Sequence, residues 1–270
     1  MRTLLKVGLS LLLLAFVLIG LSYNMLKTKG VSSPVSAGAR QVESETRTVG
    51  ADIAEIELDG PIDLTLRQGA TPSLQVKGEQ RLLGNIDTSS DGDGVLHIGT
   101  TGMLLHHRLP LQVVLVLPAL RELRVRGSGD STVNGFSGDA IAVHMEGTGS
   151  VKFNGRYRQV DASVRGSGEV EMNGGTSAKV DATVEGSGNM TVVGSASELH
   201  AVLAGSGDLN ARHLSADVVE LNLMGSGNAV VNAGKRLDAT VRGSGDIVVY
   251  GNPTERSVTV NGSGEVSYKN

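Results

Sequence analysis

The sequence contains no cysteine and no tryptophan, and only 3% of its 270 residues are aromatic. The lack of cysteine excludes disulfide bonds, cysteine-ligated metal sites and a lipid-modified cysteine near the N-terminus. The formal net charge is only −4. With no basic stripe and no aromatic platform, the composition argues against a nucleic-acid-binding protein. Glycine is abundant, at 37 residues, but it follows no Gly-X-Y period, which excludes collagen.

The first residues carry a targeting or anchoring signal. Arg2 and Lys6 precede an uncharged, leucine-rich run over residues 7–23, the pattern of a signal peptide or of an uncleaved signal anchor. Lys27 and Lys29 follow instead of a nearby small-x-small cleavage site, which favours the anchor. We predict a hydrophobic helix within residues 1–27 as signal anchor or signal peptide, and a flexible tether rich in Ser, Gly and Ala over residues 28–48. The rest of the chain would then lie outside the cytoplasm.

A β-rich segment is predicted over residues 49–120. Ile62, Leu64 and Leu66 alternate with polar residues after the Gly60-Pro61 turn, and similar short alternating runs follow, separated by Gly, Asp, Ser and Pro. His106-His107 suggests a metal site. Adjacent residues point to opposite faces of a strand, however, and no third ligand lies nearby, so we expect a loop or strand edge.

The remainder of the chain, residues 121–270, is built from a repeat. An apolar-x-apolar-x-Gly-Ser-Gly phrase recurs about every 19 or 20 residues, and a fixed period in this range is typical of solenoids. Its tripeptides begin at Gly127, Gly147, Gly166, Gly186, Gly205, Gly225, Gly243 and Gly262.

The repeat predicts a stack of coils. Counted from the first glycine as zero, positions −6, −4, −2, +4 and +6 are apolar in nearly every repeat, with Ser131 the exception at +4. Two short strands bent around a glycine corner cannot bury that face alone, but stacked coils bury it continuously. We therefore predict an all-β protein, a parallel β-helix or solenoid of about eight coils, preceded by the β-rich segment and the hydrophobic helix.

Glycine suits the corners because a tight corner needs either a positive φ or a backbone without Cβ. The outward residues support stacking independently. At position −1, Arg126, Glu146, Arg165 and Glu185 alternate in charge. In a stack these side chains would lie about 4.8 Å apart, which is favourable for cross-strand pairs.

Two polar rows invite a functional interpretation. A regular row of oxygen-bearing side chains at position +3 could bind calcium, but one ligand per coil is too few for a six- to eight-oxygen shell. Capping of the corner by these side chains is the simpler interpretation. The row comprises Asp130, Ser150, Glu169, Asn189, Asp208, Asn228, Asp246 and Glu265.

An acidic row at position −5 could suggest glycan cleavage by paired carboxylates. It comprises Glu122, Asp161, Asp181, Glu220 and Asp238. A ladder of like positions is more typical of a solvated edge, and aromatic residues for sugar stacking are nearly absent. His144, His200 and His213 fall in different rows and form no triad-like set. We predict no catalytic, cofactor-binding or metal-binding residues and no cofactor.

The Val-x-Gly-Ser-Gly repeats, preceded by the β-rich segment that ends Leu115-Val116-Leu117-Pro118-Ala119-Leu120, resemble a bacterial family. It is the family called "putative auto-transporter adhesin, head GIN domain", a domain of unknown function. The resemblance covers about residues 50–268. It implies a parallel β-helix-like fold and an envelope or surface location, and it carries no catalytic residues to transfer.

Together these features lead us to expect a non-enzymatic, exported or membrane-anchored cell-envelope protein in the periplasm or at the surface. Its role would be adhesion to, or binding of, a protein or glycan ligand. The alternative is a β-helical protein that binds or cleaves envelope glycans. The membrane would be contacted through the N-terminal segment, and nucleic acid is not an expected partner. The exposed edge of the last coil, near Tyr268, could pair with another copy of the chain.

Overall fold

The fold is seen in a computed structural model that describes residues 41–101 and 110–269. The hydrophobic run, residues 28–40 of the predicted tether and His106-His107 lie outside the described residues. Within the described ranges, no helix is long and apolar enough to cross a membrane.

The described chain forms one continuous sheet of seventeen strands. The strands before the repeat are β1 Val42–Arg47, β2 Glu55–Gly60, β3 Ile62–Gln68, β4 Ser73–Glu79, β5 Ile86–Ser90, β6 Val95–Thr100, β7 Leu111–Leu117 and β8 Glu122–Gly127, with one short helix, α1 Gln80–Leu83. The strands of the repeat are β9 Asp130–Gly147, β10 Ser150–Gly166, β11 Glu169–Gly186, β12 Asn189–Gly205, β13 Asp208–Gly225, β14 Ala229–Gly243, β15 Ile247–Tyr250, β16 Glu255–Gly262 and β17 Val266–Lys269.

Successive repeats stack in parallel and in register. Val164 of β10 pairs with Met145 of β9 on one side and Val184 of β11 on the other, so each position of the repeat forms a straight row. This confirms the all-β parallel solenoid. The predicted number of about eight coils is slightly too high, because the eight corners are joined by about seven turns. At about 4.8 Å per turn, the repeat is roughly 35 Å long.

The Gly-Ser-Gly corners pack directly on one another. Gly186 has a φ of +114°, and a Cβ there would lie 2.5 Å from the carbonyl oxygen of Gly166, one coil below. A Cβ on Gly188 would lie equally close to the carbonyl oxygen of Gly168. Because the coils touch through backbone at both positions, neither glycine can carry a side chain without displacing a coil. Between them, the N–H of Ser187 donates to the carbonyl of Gly166 at 2.8 Å.

The corner column begins before the repeat does. Gly60-Pro61-Ile62, between β2 and β3, lies directly beneath the corner at Gly127, and a Cβ on Gly127 would lie 2.1 Å from the carbonyl oxygen of Gly60. Strand β2 pairs with β8, and β3 pairs with β9. The sequence marks Gly60-Pro61 only as a turn, because Pro61 and Ile62 replace the Ser and the second Gly.

The segment between this early coil and the repeat folds back over its open side. Strands β6 and β7 pair in parallel with β2 and β3, and so add one further level. Strands β5 and β4 then pair antiparallel with β6 and β7, and β1 pairs antiparallel with β4. The N-terminal end of the solenoid is therefore closed by antiparallel strands.

Strand β1 corrects the extent of the predicted tether. Residues 28–48 were expected to be flexible, but Val42–Arg47 form β1. Arg47 fastens this strand to the cap: its guanidinium donates to the carbonyl oxygens of Ile86 and Leu83, at 2.5 and 2.9 Å. The hydrogen bonds of Arg47 and the ladder between β1 and β4 thus order a segment whose composition resembles that of a linker.

The core is the column of inward side chains predicted from the repeat. Residues at −4, −2, +4 and +6 are buried in every coil but the last, and those at −6 are buried from Ile141 to Leu237, while Arg121 at the start of the −6 row is exposed. Phe136 and Tyr157 fill the second corner of the first two turns, and the row of Tyr157 continues in later turns as the small Ser177, Ala196 and Ala216. In the last coil, Val258, Val260 and Tyr268 remain about 40% exposed, since no coil lies above them.

The corner packing predicts a large penalty for any side chain at its first glycine. Gly186→Val would impose a positive φ on a β-branched residue and force two coils apart, so we expect a loss of about 3 kcal/mol or more in the free energy of unfolding. Urea denaturation measures it. Gly84→Val and Glu198→Gln are controls: Gly84 has open space around its Cβ position and Glu198 is exposed. Equal losses in all three variants would contradict the corner model.

Ser131 predicts a stabilising substitution. It occupies the inward +4 row, is 1% exposed, and its hydroxyl has no hydrogen-bond partner among the described residues. Ser131→Ala removes a buried, unpaired polar group, so thermal and urea denaturation should show a gain of about 1 kcal/mol. Ser177 is the matched control, because its buried hydroxyl donates to the carbonyl of Tyr157 at 2.8 Å. Ser177→Ala should lower stability by about the same amount, and a loss in both variants would mean that the Ser131 hydroxyl is paired.

Candidate binding surface

The outward side chains of the strand segments that lead into each corner form a surface that we call the ladder face. Its best-formed row is position −1. Arg126 lies between Asp59 and Glu146, at 3.4 and 3.7 Å. Arg165 lies between Glu146 and Glu185, at 3.6 and 2.9 Å. The predicted alternation of charge is therefore present, with Asp59 of the early coil as one further member.

The ion pairs of this row fix register more than they add stability. Each is partly exposed, and such pairs contribute only about 0–1 kcal/mol. The hydrogen bond from Arg165 to Glu185 raises the pKa of the guanidinium, so Arg165 stays charged at every ordinary pH. The row presents a fixed sequence of charges at strand spacing.

A charged cluster lies at the start of the −3 row, and its pairing was not recognised in the sequence. Glu57 of β2 accepts from Arg124 of β8 at 2.5 Å, and His97 of β6 lies 3.3 Å from the same carboxylate. The contact between Glu57 and Arg124 joins residues 67 apart in sequence. Only the insertion of β4–β7 between two adjacent coils explains this separation, and no repeat pattern signals it.

The acidic −5 row is stacked as predicted, but basic side chains accompany it. Asp161 and Asp181 occupy neighbouring coils in direct register. Lys179 contacts Asp181 at 2.8 Å, and this hydrogen bond raises the pKa of the lysine. Further along, Arg236 lies 3.6 Å from Glu220. The pairing bases come from position −7, which holds Lys179 and Arg236.

A groove runs along the side of the ladder face, next to the second corner. Its first part, of about 640 Å³, lies between Arg121, Asp139, Tyr157, Asp161 and Asp181. Its second part, of about 260 Å³, lies between Glu198, His200, Glu220 and Arg236. Lys179 lines both parts, so they are consecutive sections of one depression.

The floor of the groove is rigid. Tyr157 is 2% exposed, and its hydroxyl donates to the carbonyl of Leu120 at 2.8 Å. Burial raises the pKa of Tyr157 to about 12. Tyr157 lines the wide first part of the groove, whereas its row continues in the next turns as the small Ser177 and Ala196.

The +3 row has a structural role that differs in detail from the predicted local capping. The carboxylate of Asp208 accepts the backbone N–H of Asn228 at 2.7 Å, and that of Asp246 accepts the N–H of Glu265 at 2.8 Å. Each bond joins one coil to the next. Asp63 of the early coil accepts the N–H of Asp130 in the same way. These oxygens are engaged in coil-to-coil contacts, and that the protein binds no metal stays a prediction.

The histidines do not come together. His144 contacts the hydroxyl of Ser163 in the next coil at 2.7 Å, and His200 lies 3.6 Å from Glu220. A serine–histidine pair would need a carboxylate on the other imidazole nitrogen to act as a triad. The described contacts give His144 no such partner.

Comparison with known proteins settles the family. The model of the family described as "Putative auto-transporter adhesin, head GIN domain" matches residues 52–253. The chain belongs to this family. No curated protein matches the sequence. The family's matched region includes the early coil, the cap and most of the Gly-Ser-Gly repeat, so the resemblance expected from the repeat is confirmed.

Solved structures share the fold of this family member. A "putative adhesin" from Parabacteroides distasonis is 26% identical, with a TM-score of 0.81, over 86% of this chain and 98% of that one. A "putative lipid binding protein" from the same organism is 24% identical, with a TM-score of 0.80 and the same coverage. A "putative adhesin" from Parabacteroides merdae is 22% identical, with a TM-score of 0.81 and again the same coverage.

Tyr157 predicts an alkaline loss of stability. Its pKa is raised from about 10 in the unfolded chain to about 12 in the fold, so the unfolded state releases the proton first. Its contribution is complete below pH 10 and is lost as the pH rises from about 10 to 12. Ultraviolet titration of the phenolate should show one tyrosine titrating near pH 12. Tyr157→Phe should remove that step, and an unchanged titration curve would contradict burial of this hydroxyl.

Proposed function

We propose that this family member is a non-enzymatic binding module of the cell envelope, with an adhesin-like role. The family name and the solved relatives called adhesins support this role. We further propose that the chain is exported and held at the membrane by residues 1–27, because a charged start followed by a long apolar run is typical of a signal anchor.

The observation that carries the proposal is the groove of the ladder face. Parallel stacking holds its charged side chains at strand spacing on a rigid sheet, so a ligand meets a preorganised surface. Acidic side chains outnumber basic ones along it: Asp139, Asp161, Asp181, Glu198 and Glu220 against Arg121, Lys179 and Arg236. Aromatic stacking partners for sugars are scarce, with three Phe, four Tyr and no Trp in the chain. A charged protein surface therefore fits the groove better than a neutral glycan does.

The alternative is a β-helical protein that binds or cleaves envelope glycans. The specific observation in its favour is the direct register of Asp161 and Asp181, since retaining glycosidases use two carboxyl groups about 5–5.5 Å apart. Against it, Lys179 already contacts one of the two carboxylates.

Binding and turnover assays on the full chain distinguish the two functions. The chain would be screened against a glycan array and against envelope proteins, and incubated with envelope polysaccharides. We expect saturable binding without turnover. Asp161→Lys combined with Asp181→Lys should weaken binding about tenfold or more, which corresponds to about 1.4 kcal/mol. Glu169→Lys, an exposed charge reversal on the opposite side of the corner, should leave binding unchanged. Release of sugar from any glycan would contradict the proposal, as would equal effects of the two charge reversals.

A further inference from the structure

The C-terminal end of the solenoid is the exposed end of the core. The inward residues Val258 and Val260 of β16 are 40% and 39% exposed, and Tyr268 of β17 is 40% exposed. One coil below, the same rows are fully buried: Val258 stacks on Ala239 and Val260 on Val241, each 0% exposed. The last coil therefore continues the apolar core to a surface that faces solvent.

The two ends of the solenoid differ in whether their strand edges are paired. At the N-terminal end, β5 and β4 pair with the edges of β6 and β7, and Arg47 ties the cap together. At the other end, β16 pairs only with β14, and β17 only with β15, among the described strands. An open parallel edge with apolar inward residues is a site for strand addition.

The sequence of β16 is complementary to itself. If two copies of β16 pair antiparallel about Thr259, Val258 of one copy lies opposite Val260 of the other, and Thr259 lies opposite Thr259. Ser257 then lies opposite Asn261, so the five central residues carry no charge. The inward face would pair valine with valine, and the outward face hydroxyl with hydroxyl or amide, which are favourable cross-strand neighbours.

Arg256 does not oppose this pairing. Its guanidinium lies 4.4 Å from the centre of the Tyr268 ring, and it donates to the carbonyl of Pro253 at 2.9 Å and to Asn252. In the register about Thr259 it lies opposite Gly262, so the two arginines of a pair would be about 20 Å apart. Arg256, the charged residue in the inward rows of the last coil, thus makes its contacts within its own chain.

We propose that two copies of this chain associate tail to tail, through antiparallel pairing of β16 about Thr259. The partner is a second copy because the capped end offers no matching open coil, so a closed two-fold contact is the arrangement that covers both apolar ends. Gln41 pairs with the cap, at the end of each solenoid that is far from this contact. This reading of the dimer rests on the proposed envelope function. If each chain is anchored as proposed, the pair would join two anchored chains end to end and so bridge two surfaces.

The absence of cysteine makes this arrangement directly testable. A residue on a two-fold axis faces its own copy, and opposite Cα atoms in an antiparallel ladder are about 4.5–5.5 Å apart, within disulfide range. In the full chain, Thr259→Cys should form a covalent dimer under mild oxidation. Thr240→Cys is the matched control, because Thr240 lies in the same outward row, one coil below, where both neighbours belong to its own chain. It should stay monomeric.

A second variant tests the association without relying on a disulfide. Sedimentation of the full chain in detergent should give twice the mass of one chain, and Val260→Lys should give a monomer. Val193→Lys, a charge on an equally exposed valine of β12, should leave the dimer intact. A wild-type monomer, species larger than a dimer, or equal cross-linking of both cysteine variants would overturn the proposal. Each of these outcomes leaves the binding function of the groove untouched, since that function is measured with separate ligands and variants.

Discussion

The backbone contact between stacked glycine corners is the constraint on which the rest of the structure depends. In each repeat the first glycine lies against the first glycine of the coil below, closely enough that a Cβ would come within 2.7 Å of its carbonyl oxygen. The residue between the glycines donates its N–H to that same carbonyl in successive coils, at 2.8–3.0 Å. Because this contact fixes the position of every coil, each inward row forms a continuous core and each outward row forms a ladder. The conformational cost of glycine, about 0.5–1 kcal/mol per site, is offset by the coil-to-coil bonds that it permits.

This constraint separates structure from function along the chain. The corner and the +3 row serve stacking, because their polar groups bond from coil to coil, as Asp208 does to Asn228. The ladder face bonds from coil to coil only through ion pairs of exposed side chains, and its side chains vary along the stack. The groove beside Tyr157 arises from variation of the same kind at the second corner. The surfaces that could recognise a partner are therefore those where the repeat is least regular, and the exposed last coil is the extreme case.

The repeat made the fold predictable, because its period of two identifies inward rows and its glycines identify corners. The alternation of Arg126, Glu146, Arg165 and Glu185 even predicted contacts that the structure contains. The early coil was not predictable, since Gly60-Pro61-Ile62 does not match the phrase and its neighbour in space is 67 residues away. Strand β1 was missed because its outward residues are polar and its stability comes from pairing with β4. The groove is lined by Tyr157, whose position at the second corner only the coil geometry reveals.

Amide hydrogen exchange at the corners tests this account most directly. The side chains of Ser187, Ser206 and Ser226 are exposed, yet their N–H groups donate to Gly166, Gly186 and Gly205. The account predicts that these amides exchange as slowly as those of the buried strands, through global unfolding, and far more slowly than the amide of Gly92 in an exposed turn. Exchange of the three serine amides at the rate of Gly92 would show that the corners are open turns, and would contradict the stacked-corner account.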